Sequence, residues 1–233
     1  TGPPETAGRW ALLPARDTDP TRSAHAVAER LLDRHGVVTR GAVVSERVPG
    51  GFAAVYKVLS AFEETGRCRR GYFVAGLGAA QFGTAGAVDR LRTFSEVPPD
   101  AKPSAVALAA TDPANPYGAA LPWPVSSGQT TGTGHRPGRK AGAIVVLVDG
   151  VLMMYVERGG RTLLTWSEEV DRLTPAAAAL ADAARRGSLG RMTVEKADGE
   201  QLLGAGSTPL REALQAAGFV ATPKGLRLRT PGA

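Results

Sequence analysis

Six basic residues near the start of the sequence are its clearest candidates for chemistry. They lie between Thr39 and Arg70 beside only three acidic residues, and they are Arg40, Arg47, Lys57, Arg67, Arg69 and Arg70. Lysine and arginine bind nucleic-acid phosphates by displacing counterions, without reading base sequence. The group therefore predicts binding to a phosphate backbone. A solvated basic face that binds nothing is the alternative interpretation.

A second basic group contains no acidic residue and consists of His135, Arg136, Arg139 and Lys140. We predict that it also grips a phosphate backbone, and a solvated loop is again the alternative. Lys224, Arg227 and Arg229 have the same two interpretations. The whole chain has 233 residues and a net charge of +6, which favours a polyanionic partner.

The first basic group needs a scaffold, and residues 21–74 are typical of a winged helix. Apolar spacing and capping residues predict helices over 21–35, 39–47 and 52–62, with the break Pro49-Gly50-Gly51 before the third. This third helix takes the place of a recognition helix. Alternation in residues 67–74 predicts the two strands and the turn of a basic wing. A winged helix used only for packing is the alternative.

Strands and turns dominate the middle of the chain, after a predicted helix over 85–94. Apolar runs at 105–110, 143–148, 151–156 and 162–166 predict strands, and Asp149-Gly150 predicts a hairpin between two of them. We expect this antiparallel meander to curl into a β-barrel. Residues 126–134 are low in sequence complexity and are predicted to be mobile.

The last part of the sequence predicts a helix that starts at Thr174-Pro175, followed by a small β-α-β tail. The tail consists of a strand over 191–196, a helix over 208–218 and a strand over 225–229. The predicted fold class is α+β, a winged helix followed by an antiparallel β-barrel and this tail. Four segments are expected: an N-terminal remnant (1–20), the winged helix (21–97), the barrel strands (98–170) and a helix with the tail that completes the barrel domain (171–233).

Several function classes are disfavoured by composition. A single cysteine, Cys68, excludes an internal disulfide, and three scattered histidines give no metal-ligand spacing. No apolar run reaches membrane-spanning length, and residues 1–10 lack an initiator methionine and the apolar core of a signal peptide. We therefore expect a cytoplasmic, nucleoid-associated piece of a longer polypeptide, with no metal and no membrane partner.

The sequence resembles the C-terminal region of Lhr, the "large helicase-related" ATP-dependent DNA helicases, in their long bacterial form. The likeness covers nearly the whole chain. It rests on Ala7-Gly8-Arg9-Trp10, Val48-Pro49-Gly50-Gly51-Phe52, Gly78-Ala79-Ala80-Gln81-Phe82 and Glu157-Arg158-Gly159-Gly160, together with residues 36–41, 66–74, 110–118 and 223–229. The resemblance implies a winged helix and a β-barrel, an arrangement that is also similar to the AlkZ-type DNA glycosylases, in a DNA-repair setting. ATP and Mg would belong to the helicase motor, because this chain has no Gly-Lys-Thr phosphate loop and no Asp-Glu-x-His box, and no cofactor is expected here.

The resemblance also directs attention to glycosylase chemistry, which needs a base pocket and a carboxylate or polarised water. Asp112 is the candidate catalytic acid, with Asn115 to read a base edge and Tyr117 or Trp123 to stack on it. Ordinary Asp-Pro and Asn-Pro turns are the alternative. The Gln-x-Gln motif of the AlkZ-type enzymes is absent, and the isolated Gln81 is predicted to be a helix-entry or packing residue.

The favoured function is a DNA-binding accessory module of an Lhr-type helicase. Its expected partners are single-stranded or tailed duplex DNA and the remainder of an Lhr chain. Two alternatives stay open: the chain is itself a uracil-DNA glycosylase, or it is an oligomerisation module that forms homo-oligomers.

Overall fold

The structure is a computed structural model that describes residues 8, 11–95, 101–125, 136–187, 192–204 and 206–229. The chain divides into two compact units, Thr1–Arg92 and Thr93–Ala233. The predicted mobile segment 126–134 lies outside the described residues, as does most of residues 1–10.

The first unit begins with helices and ends in a small sheet. Its elements, with a last helix that extends to Ser95, are α1 (Pro20–His35), β1 (Val37–Val38), α2 (Arg40–Ser45), α3 (Gly51–Glu64), β2 (Arg69–Gly71), β3 (Gln81–Gly83) and α4 (Ala85–Ser95). The Thr39 side chain accepts a hydrogen bond from the N–H of Ala42 and so caps α2. Leu31 of α1, Leu59 and Phe62 of α3 and Phe82 of β3 pack in one core. The three predicted helices are therefore present, with bounds shifted by one or two residues.

The wing is built differently from the prediction. β2 pairs antiparallel with β3, with Arg69 opposite Gly83 and Gly71 opposite Gln81, and β1 pairs with the other edge of β3. Placing both strands within residues 67–74 was therefore wrong. The second strand is a buried three-residue segment that follows a glycine-rich loop, and neither feature produces an alternating pattern.

The second unit contains a six-stranded sheet, a three-stranded sheet and two helices. Its elements are β4 (Ala105–Ala109), β5 (Ile144–Val148), β6 (Val151–Val156), β7 (Thr162–Thr165), α5 (Val170–Arg185), β8 (Thr193–Val194), β9 (Lys196–Ala197), β10 (Glu200–Gln201), α6 (Pro209–Ala216), β11 (Phe219–Thr222) and β12 (Gly225–Leu228). The Asp149-Gly150 hairpin is confirmed. Val148 pairs with Val151, and both turn residues have positive φ, as a tight type I′ hairpin requires.

The strands β5, β6 and β7 of the large sheet are buried on both faces, which explains their continuous apolar sequences. Ile144, Val146 and Val148 of β5 pack in one core with α5, whereas Val145 and Leu147 point into a second core. The strand order is β10-β9-β7-β6-β5-β4, antiparallel except where β9 runs parallel to β7. Among the described strands no ladder joins β10 to β4, so closure into a barrel stays a prediction.

The end of the chain differs from the predicted helix and β-α-β tail in two ways. β11 was missed, because Phe219–Thr222 follows directly on the turn after α6, and it forms a hairpin with β12. β12 pairs on its other edge with β8. The start of α5 at Thr174-Pro175 was also wrong. The helix begins at Val170, and Pro175 lies inside it. Leu173 is buried in the core, and its packing stabilises a helical turn before Pro175.

Candidate nucleic-acid interface

The recognition-helix candidate α3 presents one apolar face to the core and one face of small residues to solvent. Val55, Leu59 and Phe62 are buried, whereas Ala53, Ala54, Lys57 and Ala61 are exposed. Alanine methyl groups leave room for close approach of another surface. Lys57 contributes the positive charge on that face.

In the first basic group, Arg67 is one of two predicted phosphate contacts that have partners within the protein. Its guanidinium pairs with Glu29, contacts His25 Nε2 at 2.7 Å and lies 4.3 Å from the centre of the Phe62 ring. The Arg67 hydrogen bond lowers the pKa of the Glu29 carboxyl below its usual range. Arg67 therefore braces α1 against the segment that leads into β2.

Arg70 has the same kind of structural role. Its Nε lies 3.2 Å from the Glu63 carboxylate, and its Nη1 donates to the Tyr56 hydroxyl at 2.7 Å. These contacts tie β2 to α3. Contact of Arg67 or Arg70 with a phosphate would require either side chain to share or leave its present partners.

The other four predicted cations are exposed. Within the described part of the chain, the side chains of Arg40, Arg47, Lys57 and Arg69 form no ion pair or hydrogen bond. They come from the first turn of α2, the loop after α2, the outer face of α3 and the start of β2. These four residues, the unpaired cations, are free to meet an external anion.

Gln81 was predicted to be a helix-entry or packing residue, and the structure makes it a packing residue, because it is fully buried in β3. Its Oε1 accepts from the Val74 N–H at 2.8 Å, and its Nε2 donates to the carbonyls of Val74 (2.9 Å) and Gly78 (2.6 Å). Gln81 therefore pins the loop of the wing, residues 72–80. Tyr72 at the start of that loop is 80% exposed.

The predicted base-pocket residues of the second unit come together in one loop, where they contact each other and the backbone. Asp112 Oδ1 accepts from the Ala114 N–H at 2.8 Å, which is an ordinary Asx turn. The Asn115 amide is buried and donates to Ala110 O while accepting from the Tyr117 N–H. Trp123 stacks on the Tyr117 ring, with centroids 6.3 Å apart. This geometry favours a structural role for Asn115 over base reading.

Arg139, a predicted phosphate contact, holds the same loop. Its guanidinium donates to four backbone carbonyls, those of Thr111, Asp112, Asn115 and Tyr117, at 2.7–3.3 Å. Lys140 Nζ lies 3.9 Å from the Glu157 carboxylate. Arg136 is exposed, and His135 lies outside the described residues.

A cavity that no sequence pattern predicted lies in the second unit. Its volume is about 360 Å³, and it is lined by the start of α6 and by Thr165, Glu168, Asp198 and Gln201. Asp198 accepts from the backbone N–H of Thr165 at 2.9 Å and from its hydroxyl at 2.6 Å. Burial raises the pKa of the Asp198 carboxyl above its usual value. In the sequence, Asp198-Gly199 indicates only a turn.

Three helices, a paired wing and four exposed, unpaired cations define a winged-helix protein with a mixed α and β unit. Residues 17–103 match the winged-helix domain of the large helicase-related protein. The chain is 52% identical over 232 residues to a Mycolicibacterium smegmatis protein described as "Lhr helicase/ probable uracil glycosylase", covering 97% of this chain and 15% of that protein. It is 39% identical over 225 residues to the Escherichia coli "Lhr helicase/uracil glycosylase", covering 96% of this chain and 14% of that protein.

The chain therefore belongs to the Lhr family, and the predicted resemblance to the C-terminal region of bacterial Lhr proteins is confirmed. The predicted winged helix is confirmed as well. The likeness to AlkZ-type glycosylases stays a prediction. Within the described ranges, no helix has the length and apolar character needed to span a membrane.

Proposed function

We propose that this chain binds DNA through its winged helix, as an accessory module of an Lhr-type DNA-repair helicase. The observation that carries the proposal is the set of four unpaired cations in the first unit. Cations without internal partners gain most from phosphate contact, because no ion pair must first be broken.

Two further features support this role. The exposed face of α3 bears alanines around Lys57, which suits close approach to a nucleic-acid surface. Gln81 holds the loop of the wing by hydrogen bonds to the Val74 backbone, so the residues at the base of that loop are already positioned before DNA binds. Single-stranded or tailed duplex DNA is the proposed ligand, and a cytoplasmic, nucleoid-associated location is part of the proposal.

The test replaces the four unpaired cations by alanine and measures affinity for a labelled single strand and a tailed duplex across a salt series. Loss of four contacts to a single strand should flatten the slope of log K against log[salt] by about 3. The matched control removes the same charge from the α1 region at Arg16, Arg22, Arg30 and Arg34. Equal losses in both variants would show that general charge, and not these four positions, drives binding.

A second candidate function, uracil-DNA glycosylase, is favoured by the cavity beside Asp198. Breaking the bond between base and sugar requires stabilisation of a cationic sugar and removal of a proton from the attacking water, and a carboxylate serves both needs. A cavity of about 360 Å³ provides space beside this carboxylate.

Uracil release from a labelled single strand, followed by alkaline cleavage, tests this second candidate. Asp198→Asn should abolish release, and Asp112→Asn should leave it intact, because Asp112 forms a turn. Loss of release in Asp112→Asn alone would restore Asp112 as the catalytic candidate. No release by the unaltered chain would exclude glycosylase activity. The oligomerisation hypothesis stays a prediction that light scattering would test.

A further inference from the structure

A groove of about 960 Å³ opens in the second unit beside the sheet formed by β8, β11 and β12. Three cations line it, from two separate parts of the chain. Arg161 precedes β7, Lys224 lies in the turn between β11 and β12, and Arg227 lies in β12. The groove is therefore distinct from the winged-helix face.

The charge of this groove is strongly one-sided. Glu195 is the one acidic residue among those that line it, and its carboxylate lies 3.7 Å from Arg161, whose side chain is 77% exposed. In the described part of the chain, Lys224 and Arg227 have no ion pair or side-chain hydrogen bond. The lining includes no aromatic side chain and no large aliphatic one, so the groove suits an anion better than an apolar ligand.

The backbone fixes these cations in place. β12 is the central strand of its sheet, with Arg227 opposite Val220 on one side and Thr193 on the other. Leu226 and Leu228 are buried, so Arg227 projects from the opposite face of the strand.

The turn that carries Lys224 is equally constrained. The Thr222 hydroxyl donates to the Gly225 carbonyl at 2.8 Å. Gly225 has φ +147, and a Cβ there would lie 2.2 Å from the Val194 carbonyl oxygen. Only glycine allows this approach of β12 to β8, which sets Lys224 at the rim of the groove.

We propose that this groove binds the phosphate backbone of single-stranded nucleic acid. Cations on two separate parts of the chain, the β11–β12 hairpin and the segment before β7, around so large a volume match an extended polyanion better than one isolated phosphate. Gln201 lines both the groove and the cavity that contains Asp198. A strand held in the groove would therefore pass beside a space where a base can enter. The proposal extends the proposed DNA-binding function to a second surface, and it rests on that function only in the choice of nucleic acid.

The experiment uses the full chain with Lys224→Glu and Arg227→Glu combined, and a labelled single-stranded oligonucleotide as the probe. We expect affinity to fall about tenfold and the salt slope to flatten by about 1.4, the value for two lost single-strand contacts. The matched control is Lys102→Glu with Arg172→Glu, which makes the same charge change on side chains outside the groove. Should the glutamates impair folding, measured by thermal unfolding, Lys224→Gln with Arg227→Gln replaces them; this variant loses the same two contacts, so the salt slope should again flatten by about 1.4.

The outcomes separate this proposal from the winged-helix proposal. Loss of affinity in the groove variant alone supports the groove and counts against the winged helix. Loss of affinity in the four-cation variant alone overturns the groove proposal and leaves the winged-helix proposal standing. Inorganic phosphate serves as a second probe: if the groove variant loses affinity for inorganic phosphate but keeps its affinity for the strand, the groove is a free-phosphate site and the proposal fails.

Discussion

Replacement of Gln81 by methionine should loosen the loop of the wing while the rest of the first unit keeps its fold. The change removes three hydrogen bonds, those with the Val74 N–H, the Val74 carbonyl and the Gly78 carbonyl. A buried polar group that loses its partner costs about 1–3 kcal/mol. Methionine fills a similar volume, so little packing energy is lost.

The loss is smaller than the sum over three groups, because this loop lies partly at the surface and water can replace some partners. Val74 is half-buried and Gly78 is exposed. We therefore expect the free energy of local opening to fall by about 2 kcal/mol, which corresponds to roughly thirtyfold faster amide exchange.

Hydrogen exchange at the Val74 amide, followed by NMR, measures this effect directly. The Ala42 amide, which donates to the Thr39 hydroxyl in the cap of α2, is an internal control that should not change. Gln81→Glu keeps an acceptor for the Val74 N–H but places a carboxylate against two carbonyls, so its exchange rate should also rise. Unchanged exchange at Val74 in Gln81→Met would refute the assignment of Gln81 as the residue that holds the wing.

Three further predictions concern the second unit. Gly225→Ala should destabilise the fold by about 3 kcal/mol in urea unfolding, because its Cβ meets the Val194 carbonyl, whereas Gly199→Ala has the φ strain without the contact and should cost less. Arg139→Ala should cost about 2–3 kcal/mol through four lost carbonyl contacts, and lysine should recover only part of this; full recovery by lysine would contradict the role of the guanidinium. The pKa of Asp198 is raised in the folded state, so the stabilising contribution of this group is complete below the unfolded-state pKa and is lost as pH rises through the folded-state pKa. The difference in free energy of unfolding between the natural chain and Asp198→Asn should therefore shrink over that pH range. Chemical denaturation at a series of pH values measures this difference.

The sequence was sufficient where a pattern is local. α1 and α3 were found from the spacing of apolar residues such as Leu31 and Leu59, and the hairpin at Asp149-Gly150 was found from its turn residues. β3 was missed because three buried residues after a glycine-rich loop carry no period. Its identity as a strand is set by pairing with β1 and β2, which is not local information.

The candidate interface was predictable as a group of charges but not as a set of roles. Arg67 and Arg69 are two residues apart and look equivalent, yet Arg67 pairs with Glu29, which lies 38 positions away in the sequence. Only the packing of α1 beside the wing shows that Arg67 is ion-paired, whereas Arg69 is not. The cavity at Asp198 was unpredictable for a related reason, because its walls come from β7, β9, β10 and α6.

The buried position of Cys68 makes this chain well suited to site-specific labelling. The thiol is 2% exposed and contacts the Leu59 carbonyl, and burial raises its pKa, so the reactive thiolate is suppressed. A cysteine placed at the exposed Tyr72 position would then react with a maleimide fluorophore far faster than the native thiol does. Cys68 lies directly before β2 and Tyr72 directly after it, so an unreactive native thiol and an exposed attachment point flank one strand of the wing. A dye at position 72 would test the proposed binding of DNA without prior removal of the native cysteine.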